Sequence, residues 1–239
     1  LTMRQLSDLA RQIMNIDQNS ETAEEEYESL MAKYHDAIAT SITYNLDNII
    51  GVELFIHQES RNMTAEDMHV RFAQFSEQMQ NLPQMRQFKE YIEVLQRSQV
   101  GEPFIDATTQ TITGREVKLP DICGKGKWVL LDFWASWCGP CMGDMPYLKE
   151  AYKLYHKKGF EIFGVSLDTR AESWKGAIEK QDMKWVNVSL LQEVKAPAVE
   201  DYAVESIPTN YLIDCSNGVI VAKNLRGEAV IEKLAELLK

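Results

Sequence analysis

Apolar side chains recur every three or four positions through residues 1–98, almost uninterrupted by glycine or proline, and this predicts a run of helices. In the second of them Tyr27, Leu30, Met31, Tyr34, Ile38 and Ile42 fall on one face. The acidic run SETAEEEYES leads into it, with Ser20 as the candidate N-cap and carboxylates that complement the helix dipole. LDNIIGVELFIHQ is denser in apolar residues and predicts a buried helix in spite of Gly51. TAEDMHVRFAQFSEQM opens with Thr64 and Asp67 at capping-box spacing and predicts one helix closing near Asn81 and Pro83. QMRQFKEYIEVLQR predicts another.

The pattern changes at SQVGEPFID, where Gly101 and Pro103 break the helical period. PFIDATTQTITGREVKL predicts a hairpin around Thr113 and Gly114, and KWVLLDFWA a short strand buried on both faces. A helix follows from Cys138 to about Lys158, then the strand FEIFGVSLD, the helix RAESWKGAIEKQ and a short strand near KWVNVS. TNYLID, a turn at CSNG, VIVAKNL and the helix GEAVIEKLAELLK complete the chain. Strands alternating with helices predict an α/β sheet covered on both sides. The expected division is a helical domain over residues 1–98 and a second domain over residues 99–239.

With 239 residues and 45% hydrophobic content, the chain can bury a core, and no apolar stretch is long enough to cross a membrane. The net charge of -11 is concentrated in residues 1–100, which hold 8 basic and 16 acidic side chains. An acidic surface argues against a nucleic-acid backbone or an anionic membrane as partner.

Four cysteines, at 123, 138, 141 and 215, are too few for a disulfide framework. Cys138 and Cys141 stand at CxxC spacing, which admits a metal clip, a staple or a working disulfide. Zinc needs about four ligands, and His35, His57, His69 and His156 are scattered without paired spacing. A staple across two residues constrains too small a loop to stabilise much. At a strand-to-helix junction, however, Cys138 would sit at the helix N-terminus, where free N–H groups and the dipole favour a thiolate. Pro140 suits the first turn, since its missing N–H would have had no partner there.

FWASWCGPC resembles the active-site segment of the thioredoxin superfamily, and SIPT at 206–209 resembles its cis-proline loop. Pro146 matches the superfamily's helix-kinking proline and Asp132 its buried acid. The stretch VGEPFIDATTQTITGREVKLPDICGKGKWVLLDFWASWCGPC is similar to the TlpA/ResA branch of extracytoplasmic thiol-disulfide oxidoreductases. The resemblance covers roughly residues 100–239 and implies an α/β thioredoxin fold, a mixed sheet flanked by helices, and the helical period of residues 1–98 predicts an all-α helical domain ahead of it. YNLDNIIGVELFIHQ resembles helical segments ahead of such modules in Bacteroidetes-type exported proteins, which commonly carry a β-rich domain further upstream.

The resemblance also implies roles. Cys138 is the nucleophile, Cys141 the resolving thiol, and Asp132, between Leu131 and Phe133, a buried carboxyl of raised pKa that exchanges a proton with Cys141. Trp137, Gly139, Pro140, Ile207 and Pro208 contact the client. Pro208, in the cis form, leaves the Ile207 backbone to pair with an extended substrate segment and keeps unwanted metal from the thiols. Trp134 packs, and Asp144 stands where many TlpA-like proteins carry Glu. In such a sheet Cys123 and Cys215 approach each other at the end opposite the active site. Two isolated thiols are the default expectation there, and a structural disulfide in an oxidising compartment is the alternative.

The expected activity is reduction of disulfides in client proteins, with no cofactor beyond the Cys138–Cys141 disulfide and no metal. Gly-Pro between the cysteines resembles reducing thioredoxins rather than oxidants. The alternatives are a disulfide oxidant or isomerase, or a partner-binding module in which the redox domain is accessory. A thiol peroxidase would need a PxxxTxxC pattern, which is absent. Expected partners are client proteins, a membrane thiol electron donor and a second copy through the helical region, with no nucleic acid. Leu1 is not an initiator, so the expectation is a removed upstream segment in which an address could lie; the resemblance to extracytoplasmic, often lipid-anchored proteins implies the periplasm or cell envelope.

Overall fold

The computed structural model describes residues 3–17, 19–124, 128–191 and 197–238. The expected strand start at Lys127 and the expected helix end at Lys239 lie outside these. The chain divides into two compact units, Leu1–Gln96 and Arg97–Lys239.

Helices α1 (Met3–Met14), α2 (Ala23–Thr43), α3 (Ile49–His57), α4 (Ala65–Gln74), α5 (Glu77–Gln80) and α6 (Pro83–Arg97) account for the first unit. Ile38 and Ile42 of α2 are buried as the periodicity requires, whereas Tyr27 on the same stripe is exposed. The N-cap of α2 is Thr22 instead of Ser20; the Ser20 hydroxyl accepts the Thr22 amide and stays outside the helix. Gly51 is required by crowding, because a Cβ there would lie 2.1 Å from the Asn45 carbonyl oxygen. Thr64 caps α4 by accepting the Asp67 amide. The single helix expected from Thr64 onward is broken at Phe75, whose extended backbone lets its ring stack on Phe55 at 5.4 Å. The amide freed at Ser76 donates to the Leu46 carbonyl, so packing replaces the lost helical bond.

In the second unit β1 (Thr109–Gln110) and β2 (Glu116–Val117) form the small hairpin, with Gly114 at φ 78° in its turn. The main sheet contains β3 (Trp128–Trp134), β4 (Phe160–Ser166), β5 (Val186–Val188), β6 (Thr209–Asp214) and β7 (Val219–Lys223), in the order β5-β4-β3-β6-β7. β3, β4 and β5 are parallel while β6 and β7 are antiparallel, which makes the sheet mixed. Every residue of β3 is buried, as its unbroken apolar run predicts. Helices α8 (Gly139–Tyr155), α9 (Ala171–Gln181) and α11 (Glu228–Leu237) follow the sequence pattern, whereas α7 (Leu119–Cys123) and α10 (Pro197–Asp201) are one-turn helices too short to show a period. Helix α8 buries Cys141, Met145, Leu148, Ala151 and Tyr155 on one stripe and carries Pro146 inside it.

Cys123 and Cys215 form a disulfide with Cα atoms 5.1 Å apart, which corrects the default of isolated thiols. The physical reason is register: Trp128 of β3 pairs with Asp214 of β6, and each cysteine lies just beyond one of these strand ends.

Candidate active site

Strand β3 delivers the chain to the carboxyl end of the sheet, where it turns out at Ala135 and enters α8. Cys138 is the N-cap of α8, and its Sγ accepts the Cys141 amide at 3.1 Å. This uses one of the donors that a helix start leaves free, and it places sulfur where the dipole favours negative charge. Gly139 and Pro140 are the first two helical residues and both are exposed. Cys138 and Cys141 are joined in a disulfide, with Cys138 at 5% and Cys141 at 1% exposure.

Trp137, immediately before the pair, is 61% exposed, while Trp134 is wholly buried. Trp134 fits because β4 has Gly164 beside it: a Cβ there would lie 3.1 Å from its indole nitrogen. The peptide bond between Ile207 and Pro208 is cis, in the loop that leads into β6.

Asp132 points into a cavity of about 10 Å³, close to what one water molecule needs, which Cys141, Asp144, Pro208 and Asn210 also line. Burial pushes the Asp132 carboxyl from 3.8 up to about 7; Arg226 opposes this and Asp144 adds to it. Thus Asp132, Cys141 and Pro208, separated in sequence, meet at one small space. Ile207 is half-buried one residue away from it, and Trp137, Gly139 and Pro140 form the outer rim of the cysteine pair.

Several polar residues at the site escaped sequence reasoning. Asn210 pairs with Asp132 across β3 and β6, and its side chain holds Leu225 through both amide and carbonyl. Arg226 and Gly227 bind Asp144 from the start of α11. Asp168, buried at the end of β4, binds Ser136. The only sequence signal for these was a cluster of polar residues at strand ends, which ordinary loops share.

A thioredoxin-type sheet with a CxxC disulfide capping the first long helix, and a cis-proline loop beside it, defines a thiol-disulfide oxidoreductase. Residues 100–223 match the AhpC/TSA family, to which the chain belongs. It is 31% identical over 153 residues to the thiol-disulfide oxidoreductase ResA of Bacillus cereus, covering 64% of this chain and 84% of that one. Among solved structures, the thioredoxin domain of a thiol-disulfide oxidoreductase from Bacteroides vulgatus is 36% identical with a TM-score of 0.55, covering 59% of this chain and 99% of that one. A thiol-disulfide oxidoreductase from Bacteroides fragilis is 33% identical with a TM-score of 0.53, covering 57% and 100%. The protein is accordingly an enzyme of thiol-disulfide exchange.

Proposed function

We propose that the protein reduces disulfides in client proteins, with Cys138 as nucleophile, Cys141 as resolving thiol and Asp132 as the acid and base for Cys141. The observation that carries this reading is the asymmetry of the pair: Cys138 Sγ sits at the helix start, while Cys141 shares its cavity with a carboxyl whose pKa is about 7.

In the reduced enzyme the Cys138 thiolate attacks one sulfur of the client disulfide, the client S–S bond breaks, and the other client sulfur leaves as a thiolate that takes up a proton. Asp132 then accepts the Cys141 proton, and the Cys141 thiolate attacks Cys138 Sγ. The mixed disulfide breaks, the departing client thiolate takes up the proton that Asp132 holds, and the enzyme keeps the Cys138–Cys141 disulfide. Two electrons and two protons have passed to the client, and a membrane thiol donor restores the dithiol. Trp137, Gly139, Pro140, Ile207 and Pro208 form the client-facing rim.

The Cys123–Cys215 disulfide supports an oxidising compartment, and with it export to the periplasm or cell envelope. Exposed Tyr44, Ile49 and Ile50 support self-association of the helical unit, which sedimentation of the full chain tests.

The deciding experiment is the reduction potential of the Cys138–Cys141 pair, followed through tryptophan fluorescence in glutathione or dithiothreitol buffers. A value at or below about -230 mV fits a reductase, and Cys141→Ser then traps clients as mixed disulfides on Cys138. A value between about -120 and -180 mV makes the enzyme an oxidant or isomerase instead.

A further inference from the structure

The buried carboxylate of Asp168 is unused by the chemistry above. It is 1% exposed and receives three hydrogen bonds: the Ser136 amide on Oδ2 at 2.9 Å, the Ser136 hydroxyl on Oδ1 at 2.5 Å, and the Ser166 hydroxyl on Oδ2 at 2.8 Å. The Asp168 amide returns a bond to the Ser166 hydroxyl at 3.0 Å, and the Ser189 hydroxyl holds the Ser166 carbonyl at 2.9 Å. The carboxylate is therefore oriented by Ser166, the last residue of β4, and grips Ser136 by backbone and side chain together.

Ser136 stands midway between the end of β3 and Cys138. The parallel ladder of β3 and β4 continues one step past their ends, with the Leu167 amide donating to the Trp134 carbonyl at 2.8 Å. One further step of a regular parallel ladder would send the Ser136 amide to the Leu167 carbonyl. It goes to the Asp168 side chain instead, and there the chain leaves the sheet. The following turn, closed by the Cys138 amide on the Ala135 carbonyl at 3.1 Å, delivers Cys138 to its capping position.

We infer that Asp168 is a positioning residue: by replacing a backbone carbonyl in the ladder it fixes the turn at Ser136, and thereby holds Cys138 Sγ on the α8 start and presents Trp137 outward. The inference rests on the reading of Cys138 as nucleophile. Two effects of removing Asp168 have opposite sign. Loss of positioning takes the sulfur off the helix start and raises the Cys138 thiol pKa; loss of a nearby negative charge lowers it.

The test is alkylation of the reduced full-length chain by iodoacetamide as a function of pH, with Cys138 followed by mass spectrometry. Asp168→Ala is expected to raise the Cys138 pKa by about one unit and so to slow its alkylation about tenfold at pH values well below the wild-type pKa. Asp168→Asn keeps an acceptor for the Ser136 amide without the charge, and is expected to remain within about twofold of the wild type. Ser136→Ala deletes only the hydroxyl bond and is expected to slow alkylation about threefold; it carries the test alone if Asp168→Ala does not fold. A Cys138 pKa that is unchanged or lowered in Asp168→Ala overturns the inference, as does an Asp168→Asn as slow as Asp168→Ala or an unchanged Ser136→Ala. Insulin reduction by the wild type is measured alongside. If that fails while the alkylation pattern holds, the reductase reading falls and the positioning role stands.

Discussion

The Asp144 carboxylate accepts the Gly227 amide at 3.1 Å, tying the second turn of α8 to the start of α11. Its other oxygen meets the Arg226 guanidinium at 3.4 Å. Both charges act on buried Asp132, Arg226 lowering its pKa and Asp144 raising it, so an ion pair joined across 82 residues of sequence tunes the acid beside Cys141.

Removing either partner should move the pH dependence of client reduction, and in opposite directions. In Arg226→Gln burial and Asp144 act unopposed, and the acid limb rises from about pH 7; in Asp144→Asn it falls. Each shift should stay under about one unit, because burial is the larger cause. Rate profiles of insulin reduction check this, and shifts in the same direction for the two variants would remove Asp132 as the titrating group.

Asp132 also sets a stability penalty. Its carboxyl titrates near 3.8 when unfolded and near 7 when folded, so between those values the folded state holds a proton that the unfolded state has lost. Stability from this group therefore falls as pH rises through that window and stays low above it. A shift of this size corresponds to about 4 kcal/mol as an upper figure. Asp132→Asn buries no charge and should be more stable than the wild type near about pH 8 by a few kcal/mol, with the advantage gone near about pH 4. Urea unfolding of the oxidised proteins at the two pH values measures it, and equal stability at the higher pH would mean that water reaches the carboxylate.

What the sequence disclosed and what it hid divide along physical lines. Strand β3 and its buried acid were legible, because an unbroken apolar run and a CxxC at its end are local features. The break at Phe75 was hidden, since a ring stacking on Phe55 across the helical unit overrides a continuous helical period. The roles of Arg226, Asp144 and Asp168 were hidden for a related reason: each depends on a partner brought close by sheet register, and a polar residue at a strand end looks the same whether or not it has one. The Cys123–Cys215 bond is an intermediate case, since strand order places both residues at one end but does not fix their distance.

A side chain at Gly164 should cost stability. A Cβ there would lie 3.0 Å from Asn187 Oδ1, 3.1 Å from Trp134 Nε1 and 3.3 Å from Trp185 Nε1. Trp134 and Trp185 are both buried, so neither ring has room to yield. Gly164→Ala should cost about 1–3 kcal/mol and shift the tryptophan fluorescence of the folded state. An alanine variant as stable as the wild type would mean that the strands separate more easily than their packing indicates.

The second disulfide should contribute stability without touching the chemistry. It closes a sequence separation of 92 residues, and cross-links of that span restrict the unfolded chain enough to contribute about 2–5 kcal/mol. The seven residues of β3 separate its Trp128 end from its Trp134 end by roughly 20 Å, with Cys123 beyond the first and Cys138 beyond the second. The double variant Cys123→Ser/Cys215→Ser should therefore unfold at lower urea with a larger slope, as a less restricted unfolded state exposes more surface. The reduction potential of the Cys138–Cys141 pair should stay at its wild-type value. A changed potential would show that the two disulfides communicate through β3, and an unchanged stability would show that the bond does not persist in the folded protein.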